Sequence, residues 1–351
     1  MAGHDQRSLL TVQLQPEKAI AYDRLSPFAF DDQLNCWCVF DGELISAIFQ
    51  SDTFQVVPYA QYYREIAERT SIDLDAIITA LDFIPLANEG ADHKRLRGEF
   101  AAVTAGQGRS VVEAMEEYVA SLMRNVFVAG SDVDLSAFVQ RIYHQLFSLW
   151  LGTRQDDVVG TSDFSQVFDR TRSLNRRKSL NRNLAELTCS FAKKRDKLST
   201  SPEIAVAMNV VGRDAFVGSI VLSFRETLAR SPGARLCDIA FSQTLPSTAV
   251  PYVERLAMED AEIGGMRVRK GQRIRLFLDA TAQHVSGEDA NLLFGKGRHI
   301  CLGKPITLVI WRAMVAAAST ISVRCTVGEF KMREGDYVFS YPERAIVRLH
   351  G

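Results

Sequence analysis

One cysteine set among glycines constrains this chain more than any other stretch of its sequence. The segment Phe294-Gly-Lys-Gly-Arg-His-Ile-Cys-Leu-Gly303 directly precedes an apolar run that is typical of a helix. Glycines let the backbone turn sharply and approach a flat ligand closely. We expect the Cys301 thiol to lie at a helix N-terminus, where backbone N–H groups and the helix dipole favour the thiolate. Such a thiolate is a good axial ligand for haem iron.

The amino-acid composition argues against several classes of function. The 351 residues carry 41 Lys+Arg against 42 Asp+Glu, a formal net charge of −1. This balance argues against nucleic-acid binding, which needs a clear basic excess, although local basic patches remain compatible with it. Because no stretch reaches about 18 uninterrupted apolar residues, and Met1–Pro16 lacks the apolar core of a signal peptide, we expect no membrane partner. Six cysteines are too few for a disulfide scaffold, so we expect a cytoplasmic protein.

Hydrophobic periodicity predicts that residues 58–230 are largely helical. Apolar residues recur at three- and four-residue spacing over Val111–Val128 and Leu135–Leu151. Either Asp134 or Ser136 is suited to cap the second of these helices.

Strand-like patterns flank this helical region. Residues 35–40 have strand composition and end at the turn signal Asp41-Gly42, and residues 261–278 are typical of a hairpin with short strands. Helix returns at 302–319, and the last thirty residues are strand-like. We therefore predict a mainly α fold with a small β region, in which an N-terminal tail (1–18) precedes a single large domain (19–351).

The cysteine segment resembles the cysteine-ligand loop of the cytochrome P450 family. The resemblance implies a cytochrome P450-like fold and haem b with the Cys301 thiolate on its iron. The alternative is a glycine-rich turn that holds a buried structural cysteine. A zinc site does not fit, because Cys36 and Cys38 have no matching Cys/His pair downstream, and a hydrolase Gly-x-Ser-x-Gly turn is absent. The matching positions are Phe294, Gly295, Gly297, His299, Cys301 and Gly303.

Further residues resemble the family's haem-propionate ligands. His93 and Arg97, in His93-Lys-Arg-Leu-Arg97, match its C-helix signature, and two cations one turn apart suit a carboxylate. The resemblance gives Arg255 and His299 the same role. The alternatives are a solvated helix face for the first pair and an exposed hairpin arginine for Arg255.

The sequence departs from the family on the side that carries the cysteine loop. The family's Glu-x-x-Arg pair is expected within Ile239–Val253, which contains no charged residue. The segment between Ala282 and Phe294 is also much shorter than the family's usual meander. We therefore expect this face to be reduced.

A third departure concerns proton delivery. Val210–Phe216 resembles the family's oxygen-activation turn, with Gly212 and Asp214 matching it and Ala215 standing where an alcohol is usual. Delivery would need ordered water, a substrate hydroxyl or Asp214 alone. Arg213 is a candidate for binding a substrate carboxylate or polarising a peroxide. The candidate catalytic positions are therefore Asp214, Arg213 and Ala215, the alternative being that Arg213 and Asp214 form a surface helix pair.

A basic run follows the centre of the helical region, and only Glu186 and Asp196 oppose it. By resemblance it lies near the helices that roof the substrate pocket, where it would suit an anionic substrate or one tethered to an acyl or peptidyl carrier protein. The alternative is a solvated face. Its cations are Arg170, Arg172, Arg176, Arg177, Lys178, Arg182, Lys193, Lys194, Arg195 and Lys197.

Three functions fit these observations. The first is a haem-thiolate monooxygenase that oxidises a small organic substrate in biosynthesis and draws NAD(P)H electrons through ferredoxin and ferredoxin reductase. The second keeps the haem but performs peroxide-dependent or redox-neutral chemistry, such as dehydration or rearrangement. The third is a non-catalytic binding module that retains the fold.

Overall fold

The computed structural model describes residues 26–32, 34–105, 108–153, 164–170, 172–278, 292–333 and 339–351. These residues belong to two compact units. The first contains the described residues up to Val57 together with those between Val250 and Cys301. The second contains those of Pro58–Ala249 and Leu302–Gly351. The expected tail (1–18) and most of the short meander lie outside the described residues, and the domain boundary at residue 19 stays a prediction.

The secondary structure is mainly helical, as predicted. The helices are α1 (Gly42–Gln50), α2 (Tyr59–Thr70), α3 (Asp75–Asp82), α4 (Gly90–Ala105), α5 (Gly108–Val126), α6 (Leu135–Leu151), α7 (Leu174–Ala192), α8 (Pro202–Ala229) and α9 (Lys304–Ala318). The strands are β1 (Phe28–Asp31), β2 (Cys36–Val39), β3 (Phe54–Val56), β4 (Asp132–Asp134), β5 (Tyr252–Ala257), β6 (Ala261–Ile263), β7 (Met266–Val268), β8 (Arg273–Phe277), β9 (Arg324–Met332) and β10 (Pro342–His350).

The first unit is built on a five-stranded sheet in the order β1-β2-β8-β5-β3. Only β2 and β8 pair in parallel. The apolar side of α1, with Ile45 and Ile48, shares one core with Ile274 and Leu276 of β8. This arrangement fixes α1 against the sheet.

Of the residues predicted to form a hairpin (261–278), β8 instead pairs with β2 and β5, and the hairpin that is confirmed consists of β6 and β7. Its turn residues, Gly264 and Gly265, have φ values of +56° and +81°, which a tight two-residue turn requires at both positions. The turn predicted at Asp41-Gly42 is instead a helix start. Asp41 Oδ1 accepts a hydrogen bond from the Leu44 N–H at 2.8 Å and so caps α1.

In the second unit, α6 has the predicted bounds. Asp134 is its cap and accepts the Ser136 N–H at 3.0 Å, whereas Ser136 Oγ donates to the Pro342 carbonyl at 2.8 Å. That second bond links α6 to β10, which lies between β4 and β9 in a three-stranded sheet.

The long helix α8 is the core element of the second unit. Ser201 caps it, and Pro202 occupies its first turn, where the missing N–H costs nothing. Its length and composition alone would allow it to cross a membrane, but 83% of its most apolar stretch is buried inside the protein. It packs mainly against α6, α7 and α3.

The uncharged segment before β5 forms no helix between residues 239 and 249, all of which are described. Hydroxyl groups of α8 hold it instead. Ser219 Oγ accepts the Ala249 N–H at 2.9 Å. Ser223 Oγ donates to the Ser247 carbonyl at 3.0 Å and accepts the Ser247 N–H at 3.1 Å. Two serines one helical turn apart thus bind the backbone of this segment.

Candidate functional site

The cysteine loop folds back on itself. The Gly295 N–H donates to the Leu292 carbonyl at 2.8 Å, and the Cys301 N–H donates to the Phe294 carbonyl at 2.9 Å. Gly295 has a φ of +70°, a left-handed conformation that glycine adopts without strain. The result is a compact loop from which the Cys301 thiol is exposed, shortly before α9 begins. The alternative of a buried structural cysteine is therefore wrong.

Gly297 brings this loop against the end of α1. Its φ is +69°, and a Cβ there would lie only 2.8 Å from the Phe49 carbonyl oxygen. Arg298 strengthens the attachment by pairing with Asp52 and donating to the Ser51 carbonyl at 3.2 Å. Both the backbone conformation and the lack of space thus require glycine at position 297.

Arg255 lies in the same part of the first unit as the loop. It is 3% exposed, and its guanidinium carbon lies 5.1 Å from the centre of the Phe49 ring. The tip of that ring is 3.9 Å from where a Cβ on Gly295 would be. Phe49 therefore contacts both, and the alternative of an exposed hairpin arginine is wrong. The sequence marks Phe49 only as an apolar residue of an amphipathic helix, so its place beside the loop could not be inferred.

The three remaining loop residues that match the family are Phe294, His299 and Gly303. Phe294 is half-buried against the core of the first unit, and His299 is half-buried at the end of a short 3₁₀ turn. Gly303 is the N-cap residue of α9.

The C-helix pair lies on α4 in the second unit. His93 is 5% exposed and Arg97 is half-buried, so they do not form a solvated helix face. Residues four apart share one side of a helix. The structure thus places these two basic side chains on one side of α4, whereas Cys301, Phe294, Gly295, His299 and Arg255 belong to the first unit.

Asp214 is the centre of a buried polar network on α8. The Arg333 guanidinium lies 2.9 Å from Asp214 Oδ2, which also accepts from Ser165 Oγ. Arg213 lies 3.5 Å from Asp214 Oδ1. Arg213 and Asp214 are 6% and 2% exposed, so the alternative of a surface helix pair is wrong. The carboxylate is already engaged by three neighbours.

Arg213 and Arg333 also share an aromatic neighbour. Their guanidinium carbons lie 5.7 Å and 4.6 Å from the centre of the Tyr341 ring, within reach of cation–π attraction. Gly212 and Ala215, in contrast, are half-exposed on α8. Of the three candidate catalytic positions, Arg213 and Asp214 are thus buried, whereas Ala215 is partly exposed.

The cations of the basic run fall into two classes, those that are buried and those that are exposed. The Arg177 guanidinium donates to Tyr62 Oη at 2.7 Å and to the Arg170 carbonyl at 2.6 Å, and Arg172 pairs with Asp169 at 3.3 Å. These contacts hold buried side chains in place and are structural. The exposed members are Arg176, Lys178, Arg182, Lys193, Arg195 and Lys197, on α7 and the turn after it.

No family model matches the sequence, and no curated protein matches it significantly. The fold of the protein, in contrast, is similar to the folds of several solved structures. CalO2 is 18% identical, with 97% of each chain covered and a TM-score of 0.74. P450BioI, in complex with hexadec-9Z-enoic acid ligated acyl carrier protein, is 17% identical, with 97% of this chain and 100% of that chain covered and a TM-score of 0.72.

A third similar structure is P450 RauA complexed with a biosynthetic intermediate of aurachin RE. It is 16% identical, with 97% of this chain and 98% of that chain covered and a TM-score of 0.71. The TM-scores establish the architecture of the chain, whereas sequence identities this low do not establish its activity. The chain has the cytochrome P450 fold.

Proposed function

We propose that the protein is a haem-thiolate oxidoreductase of the cytochrome P450 type, with monooxygenation of a small organic molecule as its reaction. The exposed Cys301 thiol in its compact glycine loop carries this proposal. The loop fits a flat group, because its positive-φ glycines, Gly295 and Gly297, leave its backbone without side chains at these two positions. A haem with a thiolate ligand supplies the oxidising chemistry when bound.

The protein's own residues bind and orient the haem in this proposal. Cys301 Sγ would ligate the haem iron, and the buried Arg255 and the half-buried His299 would bind propionate in the first unit. His93 and Arg97 of α4 have the same role in the second. The resemblance supports these four assignments, and their cationic side chains suit carboxylates.

The electron source in this proposal is NAD(P)H acting through ferredoxin and ferredoxin reductase, as the resemblance implies. We place the protein in the cytoplasm. Its six free cysteines are compatible with a reducing compartment.

The substrate is anionic or bound to an acyl or peptidyl carrier protein, in a biosynthetic pathway. The exposed cations of α7 support this, since an acidic carrier would be attracted to them. That P450BioI has been solved with an acyl carrier protein adds support from a similar fold. Replacing Lys178 and Arg182 with Glu should weaken carrier binding, whereas replacing Lys270 in the first unit should not.

The absorption spectrum of the purified protein, ferric and then reduced under carbon monoxide, tests the central claim. We expect a strongly red-shifted carbonyl band that Cys301→Ala abolishes. Cys189→Ala is the matched control, because Cys189 is also a free, exposed thiol. A Cys301→Ala spectrum like that of the wild type would refute the ligand assignment. A folded protein that takes up no haem would favour a non-catalytic binding module.

A second candidate function keeps the haem and changes the reaction. Ala215 provides no hydroxyl, and the Asp214 carboxylate is engaged by Ser165 and Arg333. This supports peroxide-dependent or redox-neutral chemistry, such as dehydration or rearrangement. Product formation without NAD(P)H and redox proteins would establish it, and strict dependence on them would refute it.

A further inference from the structure

Two cysteines lie side by side on β2, far along the chain from the cysteine loop. Cys36 and Cys38 are two residues apart in this strand, so their side chains point to the same face of the sheet. Both have free thiols, and both are fully buried. The first unit therefore contains a buried pair of thiols in addition to the Cys301 thiol.

Two arginines face this pair from the neighbouring strand β8. In the parallel register, Arg273 lies beside Cys36, and Arg275 lies beside Cys38. Glu254 of β5 pairs with both arginines, at 3.3 Å from Arg273 and 2.9 Å from Arg275. Two positive charges and one negative charge thus leave a net positive charge beside the sulfur atoms, which favours thiolate over thiol.

The electrostatics of the Cys36 thiol agree with this arrangement. A hydrogen bond with Cys38 lowers the pKa of Cys36, and the charges of Arg275 and Arg273 lower it further, although burial and Glu254 oppose them. The same hydrogen bond shows that the two sulfur atoms lie close together. The thiolate is the form of cysteine that binds metal ions.

The geometry of β2 suits a bridging metal better than a disulfide. Its residues pair on both sides, with β1 and with β8, which holds the backbone extended. Residues two apart in a strand are separated by about 6.6 Å, with nearly parallel side chains, whereas a disulfide requires Cβ atoms about 3.5–4.5 Å apart. Two metal–thiolate bonds of about 2.3 Å each span up to about 4.6 Å between sulfur atoms.

The number of ligands and the local charge select the class of metal. Among the residues that the structure describes, no third Cys, His, Asp or Glu joins the pair to form a metal-binding group. Zinc requires four ligands, whereas copper(I) is a soft cation that accepts two thiolates. Two thiolates and one monovalent cation carry a net charge of −1, which the net +1 of Arg273, Arg275 and Glu254 balances.

We propose that Cys36 and Cys38 form a two-coordinate binding site for copper(I). Each thiol releases its proton to solvent as its sulfur–copper bond forms, and no electron is transferred, because the metal is already monovalent. Arg273 is partly exposed and lies beside Cys36, so it marks the side from which the metal and the protons exchange with solvent. The site does not depend on the proposed haem function.

Competition for copper(I) between the full-length protein and the chelator bicinchoninate, without oxygen, tests the site. We expect the wild type to take one copper(I) per chain from the chelator, and Cys36→Ala/Cys38→Ala to take none under the same conditions. Cys189→Ala/Cys237→Ala is the matched control, because it removes two other free thiols and should bind copper(I) like the wild type. Equal uptake by Cys36→Ala/Cys38→Ala and the wild type would overturn the site.

A wild-type crystal soaked in silver(I) gives a second test that needs no substitution in the buried strand. Silver(I) has the same charge as copper(I) and a similar preference for thiolates. We expect an anomalous diffraction peak between Cys36 Sγ and Cys38 Sγ. Absence of silver between these two atoms would overturn the site, and a zinc soak that fills the same position equally would overturn its assignment to a monovalent cation.

Discussion

Arg333 Nη2 and Asp214 Oδ2 form a buried ion pair at 2.9 Å that joins the residue after β9 to the middle of α8. Both side chains are less than a tenth exposed, so the surrounding protein replaces the water that would otherwise solvate them. Breaking a buried pair by removing one member leaves a charge that its surroundings cannot solvate.

We therefore expect Arg333→Met to destabilise the protein by about 3 kcal/mol, measured by urea unfolding. The matched control is Arg344→Met on the same pair of strands, because Arg344 forms an exposed pair with Glu329 at 3.3 Å. Its expected cost is below about 1 kcal/mol. Equal losses of unfolding free energy in the two variants would show that the buried pair stabilises the protein no more than the exposed pair does.

Gly297→Ala should damage the cysteine loop. The new Cβ would meet the Phe49 carbonyl oxygen in addition to straining a backbone with φ +69°. Gly271→Ala is the control, because Gly271 has φ +81° and open space around its Cβ position, which isolates the backbone cost of about 1–2 kcal/mol. We expect Gly297→Ala to unfold at lower denaturant and to lose haem binding in a titration. Haem affinity equal to that of Gly271→Ala would contradict the assigned role of the loop.

Ser223→Ala should release the uncharged segment 239–249. The variant removes a donor to the Ser247 carbonyl and an acceptor for the Ser247 N–H, and loss of buried hydrogen bonds costs about 1–3 kcal/mol. Ser319→Ala, which removes an exposed hydroxyl, is expected to cost little. Chemical unfolding combined with hydrogen exchange of the Ser247 amide measures both effects. Unchanged amide protection in Ser223→Ala would contradict the assignment.

His144 should make stability depend on pH. Burial, and secondarily the nearby Arg213 charge, lowers the pKa of His144 below its ordinary value of 6.5. The native state then binds fewer protons than the unfolded state, so the His144 contribution is complete above that ordinary value and is lost as the pH falls towards the lower native pKa. We expect His144→Gln to flatten the fall in unfolding free energy below pH 6.5. An unchanged slope would exclude His144 as its source.

The cysteine loop could be predicted from sequence because its glycines and its cysteine all lie within ten consecutive residues, 294–303. The bounds of α6 followed from its periodicity and from Asp134 at its start. The partners of Asp214 could not be predicted, because Ser165 and Arg333 are 49 and 119 residues away along the chain. No local pattern specifies which buried arginine a carboxylate meets. Asp41 shows a different limit, since a residue that favours turns also favours helix caps.

The hydroxyl contacts of α8 with segment 239–249 have a consequence for the conditions in which this unit is stable. Ser219 and Ser223 are neutral, and Gly218 lets Ala249 approach so closely that a Cβ there would lie 2.5 Å from the Ala249 methyl. Ions in solution screen charged pairs, but they do not screen a hydroxyl–amide bond or a close packing contact. The part of this attachment that Ser219, Ser223 and Gly218 provide should therefore be as strong in concentrated salt as in dilute buffer.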